Sequence, residues 1–116
     1  MIFKNTLILA SAAVALAIMF VLSVLAGNSY DYFTALLSLI LIGIPALCIR
    51  KDFIVLPWPI LLAICLSLCL HNVGLVAGLY MTTSWDILTH FISGITVASI
   101  VSMILIMVIV SSKKTK

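Results

Sequence analysis

The sequence predicts an all-α, polytopic membrane protein with a bundle of four transmembrane helices. Three observations support this: the composition, the uncharged stretches and the placement of the basic residues. Of the 116 residues, 66% are hydrophobic and only 8% are charged. A soluble domain has to cover its surface with polar groups, and this composition does not supply enough of them. We therefore expect the chain to fold in a lipid bilayer.

Four uncharged stretches are long enough to cross a bilayer. They are Asn5–Tyr30, Tyr32–Ile49, Phe53–Trp85 and Ile87–Ser112, each of 18 residues or more. About 20 apolar residues in a helix span the hydrocarbon core, and the stretches are too long and uniform for barrel strands. They predict one transmembrane domain over residues 1–116, with helices at about 6–26, 32–49, 56–80 and 84–110.

All basic residues fall on one side of this four-helix arrangement. They are Lys4, Arg50, Lys51, Lys113, Lys114 and Lys116. Lysine and arginine mark the cytoplasmic side, so we expect both termini in the cytoplasm and the chain in the cytoplasmic membrane. The same scatter at helix ends excludes a nucleic-acid-binding protein, because no soluble basic surface remains.

The first helix has a second interpretation, as a cleaved signal peptide. Lys4, the apolar run and the small residues of "SVLAG", with Val24 and Ala26, are typical of one. The apolar run has about 20 residues, whereas signal peptides usually have about 7–15, which favours a retained helix. Cleavage would leave the other three helices in the same orientation.

The cysteines give no sign of redox or catalytic chemistry. Cys48, Cys65 and Cys69 all lie within predicted helices, and the last two are spaced i, i+4 rather than C-x-x-C. We expect them to serve as small packing residues. Cys69 points about 200° away from His71 around its helix, so a Cys–His pair is poorly supported. The sequence names no catalytic residue, and enzymatic activity stays open.

Capping residues and glycines predict helix ends and close packing. Asn28, three residues before Asp31, predicts the start of the second helix. "GLVAG", with Gly74 and Gly78, is a G-x-x-x-G pattern that lets another helix approach closely, and Gly94 extends this possibility to the fourth helix.

A polar cluster in the outer half of the bundle is the candidate site. In "SWDILTHFISG", Asp86 and His90 are spaced i, i+4 and therefore share one helix face. His71 lies on the neighbouring helix, and Asp31 enters from the outer end of the second helix. Turning an ionisable group to lipid costs several kcal/mol, so we expect these four residues to face the bundle interior or a wet cavity.

Two functions remain open for this cluster. The first hypothesis is a structural or assembly protein, in which the cluster forms interhelical hydrogen bonds. The second is a metal- or proton-handling site within a small transporter or membrane enzyme, with His71, Asp86 and His90 as ligands of a divalent transition metal. Partners are expected to be the lipid bilayer and further copies or other membrane subunits.

The segment "LPWPILLAICLSLCLHNVGLVAGLY" followed by "WDILTHFISG" resembles the YjdF-like family of uncharacterised inner-membrane proteins of bacteria and archaea. The resemblance covers about residues 52–99, and D-x-x-x-H-F is also similar to a motif of VanZ-like proteins. Its matching features are the L-P-x-P start of the third helix, His71, Gly74, Gly78, Leu79–Tyr80, Trp85, Asp86, Thr89–His90, Phe91 and Gly94. The resemblance implies membrane location and the His–Asp cluster, but no established activity. Family members are longer, which implies that any site using their last polar stretch is absent here or is completed by a second protomer.

Overall fold

The computed structural model describes residues 2–51 and 57–114 and is helical, with no strand among these residues. The helices are α1 (Ile2–Leu25), α2 (Ser29–Arg50), α3 (Trp58–Val76), α4 (Leu79–Thr82) and α5 (Trp85–Lys114). Four of them, α1, α2, α3 and α5, are long and apolar enough to cross a membrane. The prediction of an all-α fold with four candidate transmembrane helices is confirmed.

The turn between α1 and α2 forms as its residues predict. Gly27 adopts a left-handed conformation, with φ of 73°. The Asn28 side chain then caps α2, because its Oδ1 accepts a hydrogen bond from the backbone N–H of Asp31 at 3.2 Å. This bond satisfies one of the free amide groups at the helix start.

The end of α3 differs from the prediction. The third helix was expected to run to about residue 80, whereas α3 ends at Val76. Gly78 has φ of 69°, a conformation that glycine adopts without the steric cost of a Cβ, and the chain then forms the single turn α4. Gly78 therefore lies in the break between α3 and α4 rather than within a helix, and its role in helix packing stays a prediction.

Three helices share one apolar core. Ala12, Leu16 and Met19 of α1 contact Ile42 of α2, together with Leu61 and Cys65 of α3. Because lipid chains are as apolar as leucine, this core is stabilised mainly by van der Waals packing. Cys65 is buried there, in the packing position that its sequence context predicts.

The last helix, α5, is more loosely attached than the others. Among the transmembrane helices of the described chain, its backbone approaches only α3, whereas α1, α2 and α3 all contact one another. About 22% of the most apolar window of α1, α2 and α3 is buried, but only 6% of that of α5. The fold is thus a three-helix core with α5 against one side of α3, and little apolar packing holds α5 in place.

Candidate functional site

Polar side chains line the contact between α3 and α5. At its inner level, the Ser67 hydroxyl of α3 and the Thr96 hydroxyl of α5 are hydrogen-bonded at 2.9 Å. The Ala63 carbonyl oxygen lies 2.8 Å from the Ser67 hydroxyl and 3.3 Å from the Thr96 hydroxyl. Because each hydroxyl carries one proton, at most two of these three contacts are hydrogen bonds at one time. Thr96 is buried, so these contacts replace the hydrogen bonds that water would otherwise provide.

A chain of hydrogen bonds links α3, α4 and α5 further out. His71 Nδ1 lies 2.7 Å from the Tyr80 hydroxyl, which donates to Thr89 Oγ1 at 3.3 Å. Thr89 in turn donates to the backbone carbonyl of Asp86 at 3.0 Å. A carbonyl oxygen only accepts, so Thr89 must donate to it, Tyr80 must donate to Thr89, and His71 must donate to Tyr80. His71 therefore carries a proton on Nδ1, and in the neutral ring its Nε2 keeps a free lone pair.

Trp85 closes the outer end of the same contact. Its indole Nε1–H donates to the Leu70 carbonyl at 2.9 Å. Gly74 is buried against the rings of Trp85 and Tyr80, and a Cβ at this position would overlap both rings. Of the three glycines expected to pack helices together, Gly74 alone lies at a close contact, and this contact is with side chains.

A separate buried link joins α3 to α2. The Asn72 amide donates to Ser38 Oγ and to the Leu68 carbonyl, both at 2.8 Å. The Ser38 hydroxyl in turn donates a hydrogen bond to the Thr34 carbonyl at 2.9 Å. Asn72 and Ser38 are only 1% and 3% exposed, and Asn72 Oδ1 has no partner among the described residues. His71, the residue before Asn72, takes no part in this link and bonds Tyr80.

Asp86 and His90 meet as their i, i+4 spacing predicts. His90 Nδ1 lies 3.0 Å from Asp86 Oδ1 and 2.8 Å from the Asp86 carbonyl oxygen. Because that carbonyl only accepts, His90 also carries a proton on Nδ1. The two side chains are 67% and 80% exposed, so the pair lies on the outward surface of α5 rather than in the bundle interior.

The four residues expected to form one cluster occupy three places. Asp31 is at the start of α2, His71 is in the α3–α5 contact, and Asp86 and His90 form their own pair. Among the described residues, no group of three His, Cys, Asp or Glu side chains is arranged to hold a metal ion. The physical reason is helix rotation: each residue turns α5 by about 100°, and Thr89 takes the position that faces α3. A metal bound by His71, Asp86 and His90 stays a prediction.

Comparison with known families supplies the class of the protein. A family model with the description "Predicted membrane protein (DUF2238)" matches residues 7–115. The chain belongs to the DUF2238 family. The match includes the whole of α2 to α5, and the chain is accordingly a membrane protein that sits in a lipid bilayer. No curated protein and no solved structure matches it.

Most residues that form the α3–α5 contact in this DUF2238 protein were not predicted as site residues from the sequence. In the sequence, Tyr80 and Thr89 stood out only as features of the family resemblance, and Thr96 received no role. One signal was present: the two threonines are seven residues apart and therefore share a helix face. Ser67 and His71 are spaced i, i+4 on α3, so two short polar stripes of matching length were available to be paired.

Proposed function

We propose that this chain is a structural or assembly protein of the membrane, whose polar side chains fix the position of α5 against the three-helix core. The observation that supports this best is the hydrogen-bonded chain from His71 through Tyr80 and Thr89 to the Asp86 carbonyl. Interhelical hydrogen bonds contribute about 0.6–2 kcal/mol each in membranes. Because α5 has little apolar packing, these bonds make up a large share of what holds it in place.

The proposal includes finer points of location and partners. We place the chain in the cytoplasmic membrane with both termini inside, because all basic residues lie on one side of the four-helix arrangement. Within the family we propose a relationship to the YjdF-like proteins. We also propose that further membrane subunits, including copies of this chain, are its partners. Reporter fusions after Lys51 and Lys116 should be cytoplasmic and one at Met81 external. An external C-terminus would contradict this orientation.

Substitution of Tyr80 tests the structural role. Tyr80→Phe removes the hydroxyl that joins His71 to Thr89 while it keeps the ring against Gly74. We expect thermal stability in mild detergent to fall by about 1 kcal/mol or more. Tyr30→Phe is the matched control, since Tyr30 is 65% exposed. Equal stability of the two variants would show that the bond chain does not hold the helices.

A second candidate function, metal or proton handling, is supported by one observation. Both imidazoles donate from Nδ1, to a hydroxyl in His71 and to carboxylate and carbonyl oxygens in His90, which leaves both Nε2 atoms free. Metal-binding histidines are commonly oriented in this way by a second hydrogen bond. Elemental analysis of protein purified without chelators tests it. A stoichiometric metal that is lost in His71→Ala and His90→Ala, but kept in Asp31→Asn, would favour this function.

A further inference from the structure

Three basic side chains and one tryptophan lie at the same end of the three-helix core. Lys4 is in the first turn of α1, Arg50 is the last residue of α2 and Lys51 follows it, while Trp58 is the first residue of α3. All four residues are exposed. We call this group the basic patch, and it is at the end of the bundle that faces the cytoplasm in the proposed orientation.

A cation–π contact joins α1 to α3 within the basic patch. The Lys4 ammonium lies 5.4 Å from the centroid of the Trp58 ring. The ring attracts the charge through its quadrupole but does not occupy the N–H donors as a carboxylate would. The contact therefore holds the ammonium beside the start of α3 and leaves its donors available to an anion.

The pairing of α1 with α2 brings Arg50 to the level of Lys4. The two helices are joined by a short turn and are antiparallel, and the Phe20 ring of α1 contacts the Tyr32 ring of α2, with centroids 6.3 Å apart. Counting the same number of residues from both rings toward the patch sets Lys4 opposite residue 48, about 3 Å along the axis from Arg50. The positive charges at the ends of α1 and α2 thus share one level of the bundle.

No carboxylate of the described residues balances the basic patch. The sequence has only three acidic residues, and two of them, Asp31 and Asp86, are in the first turns of α2 and α5, at the opposite end of the bundle. The third, Asp52, follows Lys51 and lies outside the described residues. With its charge counted, three basic groups and one carboxylate still leave a net charge of +2. The patch therefore attracts an anion that the chain does not supply.

Exposed apolar side chains continue from the basic patch into the membrane. Leu7 and Leu47 are each 56% exposed and lie one turn from Lys4 on α1 and from Arg50 on α2. Farther along the same side of α1, Val14 begins a shallow apolar hollow. Val14 is about 15 Å from Lys4 along the helix, which is about half the thickness of the hydrocarbon core. An acyl chain whose headgroup lies at the patch would reach this depth.

We propose that the basic patch binds the phosphate group of an anionic phospholipid, whose acyl chains lie along α1 and α2. This inference goes beyond the proposed structural role and does not depend on it. A lipid phosphate offers a negative charge and several acceptor oxygens, which suit an ammonium and a guanidinium that donate from one level. Phosphatidylcholine also has a phosphate, but its choline cation opposes the positive patch. The expected preference is for a headgroup of net negative charge, such as phosphatidylglycerol.

Two observations favour a lipid over a free phosphate ion. The protein sits in a bilayer, so the patch adjoins lipid headgroups, and its exposed tryptophan suits that interfacial level. The apolar surface that continues from the patch offers contact area to acyl chains and none to a free ion. Basic groups near a membrane surface attract anionic lipids in this way, and the attraction falls with ionic strength.

Lipid retention by the purified protein tests the basic patch. The full chain is placed in mild detergent with equal amounts of phosphatidylglycerol and phosphatidylcholine, and bound lipid is counted by native mass spectrometry. We expect several-fold more phosphatidylglycerol to be retained, and Lys4→Gln with Arg50→Gln should remove this preference. Lys113→Gln with Lys114→Gln is the matched control, because it removes the same charge from the last turn of α5 and should keep the preference.

Each result of this measurement supports or overturns the proposal. Equal retention of the two lipids by the wild type, or an equal loss of preference in the two double variants, would overturn it. Excess inorganic phosphate should leave the bound phosphatidylglycerol in place, and its release by phosphate would show that the patch binds a free ion instead. Arg50→Lys, which keeps the charge, should retain the preference.

Tryptophan fluorescence locates the lipid without a change to any basic residue. Trp58 and Trp85 are the two tryptophans of the chain and begin α3 and α5, at opposite ends of the bundle. In phosphatidylcholine vesicles, brominated phosphatidylglycerol should quench the wild type more strongly than the same fraction of brominated phosphatidylcholine, because the patch concentrates it beside Trp58. Trp58→Phe, which leaves Trp85 alone, should abolish this difference. A difference that persists in Trp58→Phe, or none in the wild type, would overturn the proposal, whereas the Tyr80→Phe stability measurement would still decide the structural role.

Discussion

His71 Nδ1 and the Tyr80 hydroxyl lie 2.7 Å apart, across the helix break at Gly78. The two rings are also in edge-to-face contact, with centroids 5.6 Å apart. Because Tyr80 is in α4 and continues the hydrogen-bonded chain to Thr89 of α5, this contact joins three consecutive helices. The break at Gly78 is what lets the tyrosine fold back onto α3.

The direction of that hydrogen bond predicts the tautomer of His71. The Asp86 carbonyl accepts at the end of the chain, so His71 should be protonated on Nδ1 and unprotonated on Nε2. Nitrogen-15 NMR of histidine-labelled protein in detergent at a pH where the ring is neutral distinguishes the two tautomers. Tyr80→Phe should shift the His71 signals. A neutral His71 ring that carries its proton on Nε2 would show that the hydrogen bond between His71 and Tyr80 has the opposite direction.

Gly74 should tolerate no added methyl group. In Gly74→Ala the new Cβ overlaps the rings of Trp85 and Tyr80, and overpacking of this kind typically costs about 1–3 kcal/mol. Gly43→Ala is the control, because a Cβ there meets no atom within 4 Å. Thermal unfolding should show a clear loss in the first variant and none in the second. If both are equally stable, Trp85 and Tyr80 do not pack on Gly74.

Gly78 should be sensitive to substitution for a conformational reason. An L-residue in the left-handed region costs roughly 1–2 kcal/mol, whereas asparagine adopts that region more readily. Gly78→Ala should therefore lower the free energy of unfolding more than Gly78→Asn does. This order, measured by thermal unfolding in detergent, distinguishes a backbone requirement from a packing requirement. A larger loss of unfolding free energy with asparagine, the larger residue, would instead indicate that Gly78 is required for packing.

The Asn72–Ser38 link should be a measurable coupling between α2 and α3. A double-mutant cycle with Ser38→Ala and Asn72→Ala should give an interaction energy of about 0.6–2 kcal/mol, the usual range for such bonds in membranes. Ser38→Ala combined with Thr96→Val is the control pair, because these residues share no partner. Additive effects in both cycles would mean that the 2.8 Å contact contributes no net stability.

Sequence predicts the number of helices and their caps better than it predicts which faces meet. The four long apolar stretches, the Asn28 cap and the Asp86–His90 spacing each depend on local chemistry, and each is present in the structure. Rotation about a helix axis is different, since a helix that is apolar all round has no pattern to show its buried side. His90 was therefore placed in the interior, although Thr89, one residue earlier, holds that position.

The end of α3 could not be predicted for a related reason. Gly74 and Gly78 have the same spacing in sequence whether they pack a helix or end it, and only the left-handed backbone of Gly78 decides between these roles. The sequence also does not predict which helices α5 contacts. The short connection between α3 and α5 predicts that these two helices are neighbours. Nothing in the composition of the helices, however, predicts that α1 and α2 have no backbone contact with α5.

The central claim, that polar residues of α3 and α5 face each other, is tested most directly by a disulfide between positions 67 and 96. The Ser67 and Thr96 hydroxyls are 2.9 Å apart, a separation that suits a disulfide once both residues are cysteines. In a cysteine-free background in native membranes, Ser67→Cys with Thr96→Cys should form an intramolecular disulfide rapidly, whereas Ser67→Cys with Val97→Cys should not. Absence of the 67–96 disulfide, or faster formation of the 67–97 disulfide, would contradict the account.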